Sequence, residues 1–382
     1  MGWVLLTQKK GPAMKKILIA SAVSAIFAAP ATVLAQAKPA PVPTLDKVLE
    51  ASGISVSGYI DAGYTHADRN IEGAPVAARV FDNQNNSFAL HQFGLTVAKQ
   101  PKEGFGGVVN LTVGKDAQAI HSASGTAVDT SMFDVTQAFA QYAGGPLTLI
   151  AGKFTTLHGT EVIASSGNTN VSRSILFGSV PFTHTGVRAT WALGDTVSLI
   201  AGVNNGWDQL TDPNKGKTLE LGAILTPIKP LSVTVSGYSG KETTSATTEG
   251  TKSSLNVVAS YAITDPLSVG LEALSVSQEN AAGGTTKQKY SGYAGYVTYM
   301  FGTKFRGVLR GESFDDKDGL RFGTTGTKYK EVTLTGAYVA SDSFEARVEG
   351  RRDQATNTVF TDYAGAASKT MTSIALQGLY KF

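Results

Sequence analysis

The residues whose type and spacing could do chemistry are charges set at alternate positions of otherwise apolar stretches. Arg306 and Arg310 share one parity, as do Glu345, Arg347, Glu349 and Arg351, with Glu331 on the stretch between them. A spacing of two puts such residues on one face of a strand. Rings of charge set selectivity where they dominate a pore constriction. Two readings stand side by side. The four arginines form a basic wall that selects solutes, or the glutamates on the same and adjacent strands neutralise them in an internal ion-pair lattice. Asp61, Lys153, Arg188, Glu220 and Glu272 occupy matching positions elsewhere and complete the pore-lining set.

A second group lies in one segment, from Thr155 to Thr183. His158, Glu161, Asn168, Asn170 and Arg173 stand there among Val162, Ile163, Ile175, Leu176 and Phe177. A loop held out in water should be polar throughout, and apolar residues at this density need something to pack against. One expectation is a constriction loop folded into a lumen, with Glu161 and Arg173 in the path of solutes. The rival is a latch over a neighbouring protomer or a cap on a rim.

Other chemistries are poorly supported. The five histidines, His66, His91, His121, His158 and His184, are scattered and form no H-x-x-x-H or H-E-x-x-H pair, so no zinc motif is present. There is no Cys, which removes thiol catalysis, Cys-ligated metals and disulfides. Asp315, Asp316, Asp318 and Gly319 cluster without the EF-hand spacing. No spacing singles out a catalytic serine or aspartate with a histidine. The expectation is a protein that is not an enzyme, with no catalytic residue, no metal and no cofactor.

What must position the charges is a series of strands. Charged residues are 16% of the 382, below the ~25% of soluble domains. The 33 Lys+Arg nearly balance 30 Asp+Glu, without the basic face of a nucleic-acid binder. From Ile54 onward the period is two. Ile54, Val56, Ile60, Ala62 and Tyr64 alternate with Ser55, Ser57, Tyr59 and Asp61. The pattern recurs in about 16 segments of roughly 8–12 residues, the length that crosses a bilayer at a tilt. Short turns at 99–104, 143–146, 193–195, 226–230, 263–266, 302–303 and 340–343 alternate with long polar loops at 65–86, 115–132, 155–183, 205–216, 240–252, 278–288, 314–327 and 353–370. Tyr142, Trp191, Tyr261, Tyr338 and Tyr380 each sit beside a short turn in step with an apolar series, as an interface girdle requires. The fold expected is an all-β, transmembrane, up-and-down antiparallel barrel with short periplasmic turns and long extracellular loops.

The chain before the strands is for export. Met14-Lys15-Lys16, an apolar run from Ile17 to Ala29 and Val33-Leu34-Ala35 make a signal peptide ending at residue 35, behind an upstream start extension. Residues 36–53 are a periplasmic linker with a short helix from Thr44 to Gly53, and 54–382 are the barrel.

The last strand, TSIALQGLYKF, ends in Phe382 with Tyr380 two residues before it. It resembles the C-terminal signature by which outer-membrane assembly machinery recognises porins. FDNQNNSFALHQFGL (81–95), AKQPKEGFGGVVNLTVGKDA (98–117), VTQAFAQYAGGPLTLIAGKFTTLHGTEVI (135–163) and SGNTNVSRSILFGSVPFTHTGVRATW (166–191) resemble the OmpL-like β-barrel porins of the porin-2 type. The resemblance covers essentially the whole mature chain and is most specific between about 81 and 208. It implies a diffusion channel for small hydrophilic solutes, integral to a bacterial outer membrane. Trimers are usual among the general porins it resembles. The rival functions are a surface-binding or adhesion barrel with a closed lumen, and an outer-membrane barrel enzyme.

Overall fold

In a strand that alternates apolar and polar residues, one series must meet lipid and the other water or protein. The strands must also close on themselves, because an open sheet edge leaves backbone groups unbonded in hydrocarbon. The computed structural model of the chain describes residues 44–69, 76–82, 84–124, 129–245 and 248–382. The expected export segment 1–35, the expected linker up to residue 43 and part of the first long loop lie outside the described residues.

The barrel strands are β1 (Ser55–Ala67), β2 (Ser87–Lys99), β3 (Gly104–Val113), β4 (Phe133–Gly144), β5 (Leu147–Thr155), β6 (Thr183–Ala192), β7 (Val197–Asn204) and β8 (Thr218–Ile228). They continue as β9 (Leu231–Ser245), β10 (Thr248–Ala262), β11 (Leu267–Gln278), β12 (Gln288–Phe301), β13 (Phe305–Asp316), β14 (Thr327–Ser341), β15 (Phe344–Ala355) and β16 (Thr370–Lys381). Each pairs with its sequence neighbours and β16 returns to β1, closing the barrel. A short helix, Leu45–Ser52, precedes β1, and Gly53 leaves it at φ +67°, a conformation that favours glycine.

Closure is antiparallel, with Tyr59 opposite Lys381 and Ala67 opposite Ser373. The seam runs to the last residue. Gly58 N donates to Phe382 O at 2.9 Å, and Phe382 N donates to Gly58 O at 3.0 Å. The Phe382 ring lies where a Cβ on Gly58 would sit, 2.4 Å away. Only glycine lets that ring close over the seam.

The two faces separate as the period requires. Leu219, Leu221, Leu255, Leu271, Leu334 and Val348 are exposed on the outside, whereas Glu220, Asn256, Glu272, Thr333, Thr335 and Glu349 are buried inside. The girdle is fixed by register. Phe105 faces Tyr142, Phe305 faces Tyr338 and Phe344 faces Tyr380, all beside short turns. Phe88 and Phe133 supply exposed rings at the long-loop ends, with Tyr64 half-buried against Phe88.

One expected loop is strand instead. Residues 240–245 and 248–252 continue β9 and β10, with Lys241 opposite Thr251 and Thr243 opposite Glu249. The residues there are polar on both faces, with Glu242 buried against Trp207 and Thr218, so the apolar half of the alternation is missing while Thr and Ser still suit a pleated ladder. Ser239 and Ser253 join their hydroxyls across it at 2.9 Å.

Removing Tyr380 to Phe382 deletes the end of the seam. The truncated protein is expected to lose the heat-modifiable gel shift of the folded barrel and to fall in outer-membrane yield. A wild-type shift at wild-type yield would show that the seam closes without these residues.

Candidate functional site

A closed barrel of this size encloses more room than its own inward side chains fill. The segment from Thr156 to Phe182, between β5 and β6, occupies that room. It is buried throughout from Asn170 to Phe182 and buried or half-buried over most of 156–169, and it holds two short 3-10 turns, Ser165–Gly167 and Phe177–Ser179. Its peptide groups therefore need partners from the wall.

The wall supplies them as carboxylates and amides. Glu349 on β15 accepts from Val171 N at 2.7 Å and Ser172 N at 2.9 Å. Glu312 on β13 accepts from Ile175 N at 2.8 Å and Leu176 N at 2.6 Å. Glu272 on β11 accepts from Thr160 N, Asn256 on β10 from Gly159 N, and Gln92 on β2 from Ser165 N. Inside the loop, Glu161 accepts from Ser174 N and its hydroxyl, and Asn168 closes a tight turn with Val162. A charged acceptor on a backbone N–H is a strong hydrogen bond in a dry setting.

The arginines complete the attachment. Arg310 donates to Glu331 at 2.6 Å, to Glu161 at 2.8 Å and to the Ser172 carbonyl at 2.8 Å. Arg351 is bonded to Asp353 and to the Arg173 carbonyl at 2.7 Å. Arg347 donates to Glu345 at 2.6 Å and to the Asn170 carbonyl. Arg306 pairs with the same Glu345. Arg173 spends its donors on the carbonyls of Val162, Val171 and Ile163. The arginines thus stand in an ion-pair lattice, not as an unpaired basic wall.

The remaining sequence-derived candidates are spread around the wall. Arg188 pairs with Glu220 at 2.7 Å and stands over Phe154. Lys153 pairs with Asp134 at 3.1 Å. Asp61 is buried on β1, and one of its carboxylate oxygens has no partner. Asn170 donates to Thr335 at 2.7 Å. His158 is held between the hydroxyls of Ser236 and Ser254 at 2.7 and 2.9 Å. Burial, with His184 nearby, pushes its imidazole down to about 3, so the fold holds it neutral. Burial raises the Asp82 carboxyl, in the first long loop, but Arg79, which ion-pairs with it at 2.6 Å, together with Arg351 and His91 holds it below the usual carboxylate range.

The apolar half of the loop has its own partners. Ile163, Ile175, Leu176, Phe177, Val180 and Phe182 join Val76, Phe81, Trp207, Leu274, Phe314 and Tyr329 in a core inside the barrel. Each such side chain contributes ~1.5–3 kcal/mol when fully buried. Val162 is the exception at 45% exposed. Glu312 is in step with Arg306 and Arg310, but nothing in the sequence marks it as an anchor of the loop. Its parity was visible, whereas its partner lies 137 residues away.

The loop leaves two cavities. One, about 320 Å³, lies against β1–β5 and is lined by Tyr59, Thr96, Asn110 and Gln137. The other, about 390 Å³, lies against β9–β12.

A lipid-facing barrel with interface girdles, a polar interior and a loop folded into it defines an outer-membrane porin. Residues 53–382 match the family described as "Putative beta-barrel porin-2, OmpL-like", and the chain belongs to that family. It is an integral β-barrel of the outer membrane and a channel for solute diffusion. Its fold is similar to that of the outer membrane channel DcaP of Acinetobacter baumannii, with TM-score 0.59 and 16% identity over 86% of this chain and 97% of that one. It is also similar to an anion-selective porin from Comamonas acidovorans, with TM-score 0.61 and 10% identity over 86% and 99%. Pseudomonas putida OprB gives TM-score 0.60 and 12% identity over 88% and 96%. No curated protein matches the chain in sequence.

Glu349→Gln tests the anchoring. The amide keeps one acceptor but sets an NH₂ against the second loop N–H, at ~1–3 kcal/mol for the stranded donor. The variant is expected to lose its heat-modifiable fold at a lower temperature and to show noisier open-channel current. Wild-type values for both would mean the loop is held elsewhere.

Proposed function

We propose that the channel passes small hydrophilic solutes passively and that the 156–182 loop sets its bore. Solutes are sorted by size and hydrogen bonding more than by charge. The observation that carries this is the loop's attachment to the inner wall through Glu349, Glu312, Glu272 and Arg310. His158, Glu161, Asn168, Asn170 and Arg173 then serve mainly to shape the constriction. Asp61, Lys153, Arg188, Glu220, Glu272 and the β13–β15 charges form the pore-lining set.

The paired lumen charges favour weak ion selectivity, since close opposite charges cancel beyond a few ångströms. The lean is towards anions. Arg306 and Arg347 share the carboxylate of Glu345, with Asp61 also near Arg347, and these guanidiniums, with Lys153, Arg188, Arg310 and Arg351, are the longest-reaching inward side chains. We also propose that assembly machinery reads the last strand through Tyr380 and Phe382, and that the barrels assemble as homotrimers, as is usual among the general porins it resembles.

Excising Glu161 to Arg173 and joining the ends with Gly-Ser is expected to raise single-channel conductance and the solute size cutoff, with the heat-modifiable shift retained. Unchanged conductance in a folded variant removes the loop from the pore, and loss of oligomer on the same gel favours a latch between protomers. Reversal potentials in a salt gradient are expected to lie near zero with a small anion preference. A strong cation preference would make Asp61, Glu345 and Glu349 the dominant field.

A further inference from the structure

The cavity of about 390 Å³ between the loop and β9–β12 falls within the ~300–1,000 Å³ of small-molecule sites. Its character differs from the charged wall of β13–β15. Ser232, Ser260, Ser268, Tyr296 and Thr298 line it from the barrel, and Thr160 lines it from the loop. On β11 and β12, Ser268 lies opposite Thr298 and Gly270 opposite Tyr296, so these hydroxyls form one continuous patch.

Two of them have bonding capacity left. Tyr296 Oη is buried with no hydrogen-bond partner, Thr160 Oγ1 is buried with only the Glu272 carboxylate beside it, and Tyr296 as a whole is 8% exposed. Buried polar atoms are almost always bonded, and an exception needs an explanation. The charges beside the cavity are committed elsewhere. Glu161 takes Arg310 and Ser174, and Arg310 has divided its donors among Glu161, Glu331, Ser172 and Thr333. No guanidinium is left to clamp a carboxylate or phosphate here. Lys229 stands at the mouth, on the β8–β9 turn.

We propose that this cavity is a transit subsite for uncharged polyhydroxylated solutes, of the sugar and polyol class, with Tyr296 and Thr160 as its hydrogen-bonding contacts. A solute carrying several hydroxyls replaces the water on these groups without loss of hydrogen bonds. An apolar solute would leave the Tyr296 hydroxyl stranded, and an anion would find no paired donor. This inference rests on the diffusion-channel reading and narrows it to a solute class.

The test is current block in planar bilayers by maltose, with gluconate as the charged counterpart. Wild type is expected to conduct in KCl and to show block that saturates with maltose. Tyr296→Phe and Thr160→Val remove one hydroxyl each and keep the shape. Each is expected to raise the half-blocking maltose concentration about 3- to 10-fold, with KCl conductance and the heat-modifiable shift unchanged. Block that grows linearly with maltose in wild type overturns the subsite, as does an unchanged half-blocking concentration in both variants. Saturable block by gluconate but not maltose overturns the solute class and points to Lys229. A wild-type barrel that does not conduct KCl at all removes the channel reading itself, and the subsite with it.

Discussion

An irregular peptide segment inside a closed barrel has no strand to pair with, and everything notable in this lumen follows from that constraint. The barrel wall has spent its own backbone hydrogen bonds on its neighbours. Apart from the backbone bonds within its own turns and from Thr156 N to Phe182 O, the loop from 156 to 182 is held by side chains. Its N–H groups end on Glu349, Glu312, Glu272, Asn256 and Gln92, and its carbonyls take Arg310, Arg347 and Arg351. Acidic residues serve the loop's donors and basic ones its acceptors. The mixed signs on β13–β15 are what such a segment requires.

Ion pairing follows from the same requirement. A guanidinium buried to bond a carbonyl carries a desolvation cost of several kcal/mol unless a carboxylate stands beside it. Arg310 meets Glu331 and Glu161, and Arg351 meets Asp353. Arg79, from the first long loop, reaches the same Asp353 at 2.5 Å, so the two inward-packed loops share one anchor. Removing a single member would strand several partners, and the lattice behaves as a unit.

The lumen is therefore uneven around its circumference. β13–β15 hold the loop with charge, while β9–β12 face it across a cavity lined with hydroxyls. Toward the long-loop end, Phe81, Phe177, Phe182, Phe314 and Tyr329 fill the barrel with an apolar core. Such a core is unusual in a wet pore, and it explains how a loop without regular structure stays in place. Charge sets its register and burial holds it there.

The sequence alone determined the barrel. A period of two is visible residue by residue, and lipid enforces it without exception at Leu219, Leu221, Leu334 and Val348. The strand number, the short turns and the girdle of Tyr142, Tyr261, Tyr338 and Tyr380 are local consequences of that period. It was silent where both faces are polar, at 240–245 and 248–252, because the apolar alternation vanishes there while the ladder persists. The inward parity of Arg310, Glu331 and Glu349 was equally legible, and so was the apolar excess of Ile175, Leu176 and Phe177. Which way that loop turns, and which carboxylate meets which donor, was decided only by the tertiary structure. Arg310 to Ser172 and Glu349 to Val171 span more than a hundred residues. Periodicity assigns a residue to a face, but the partner across a lumen depends on where closure puts the opposite wall.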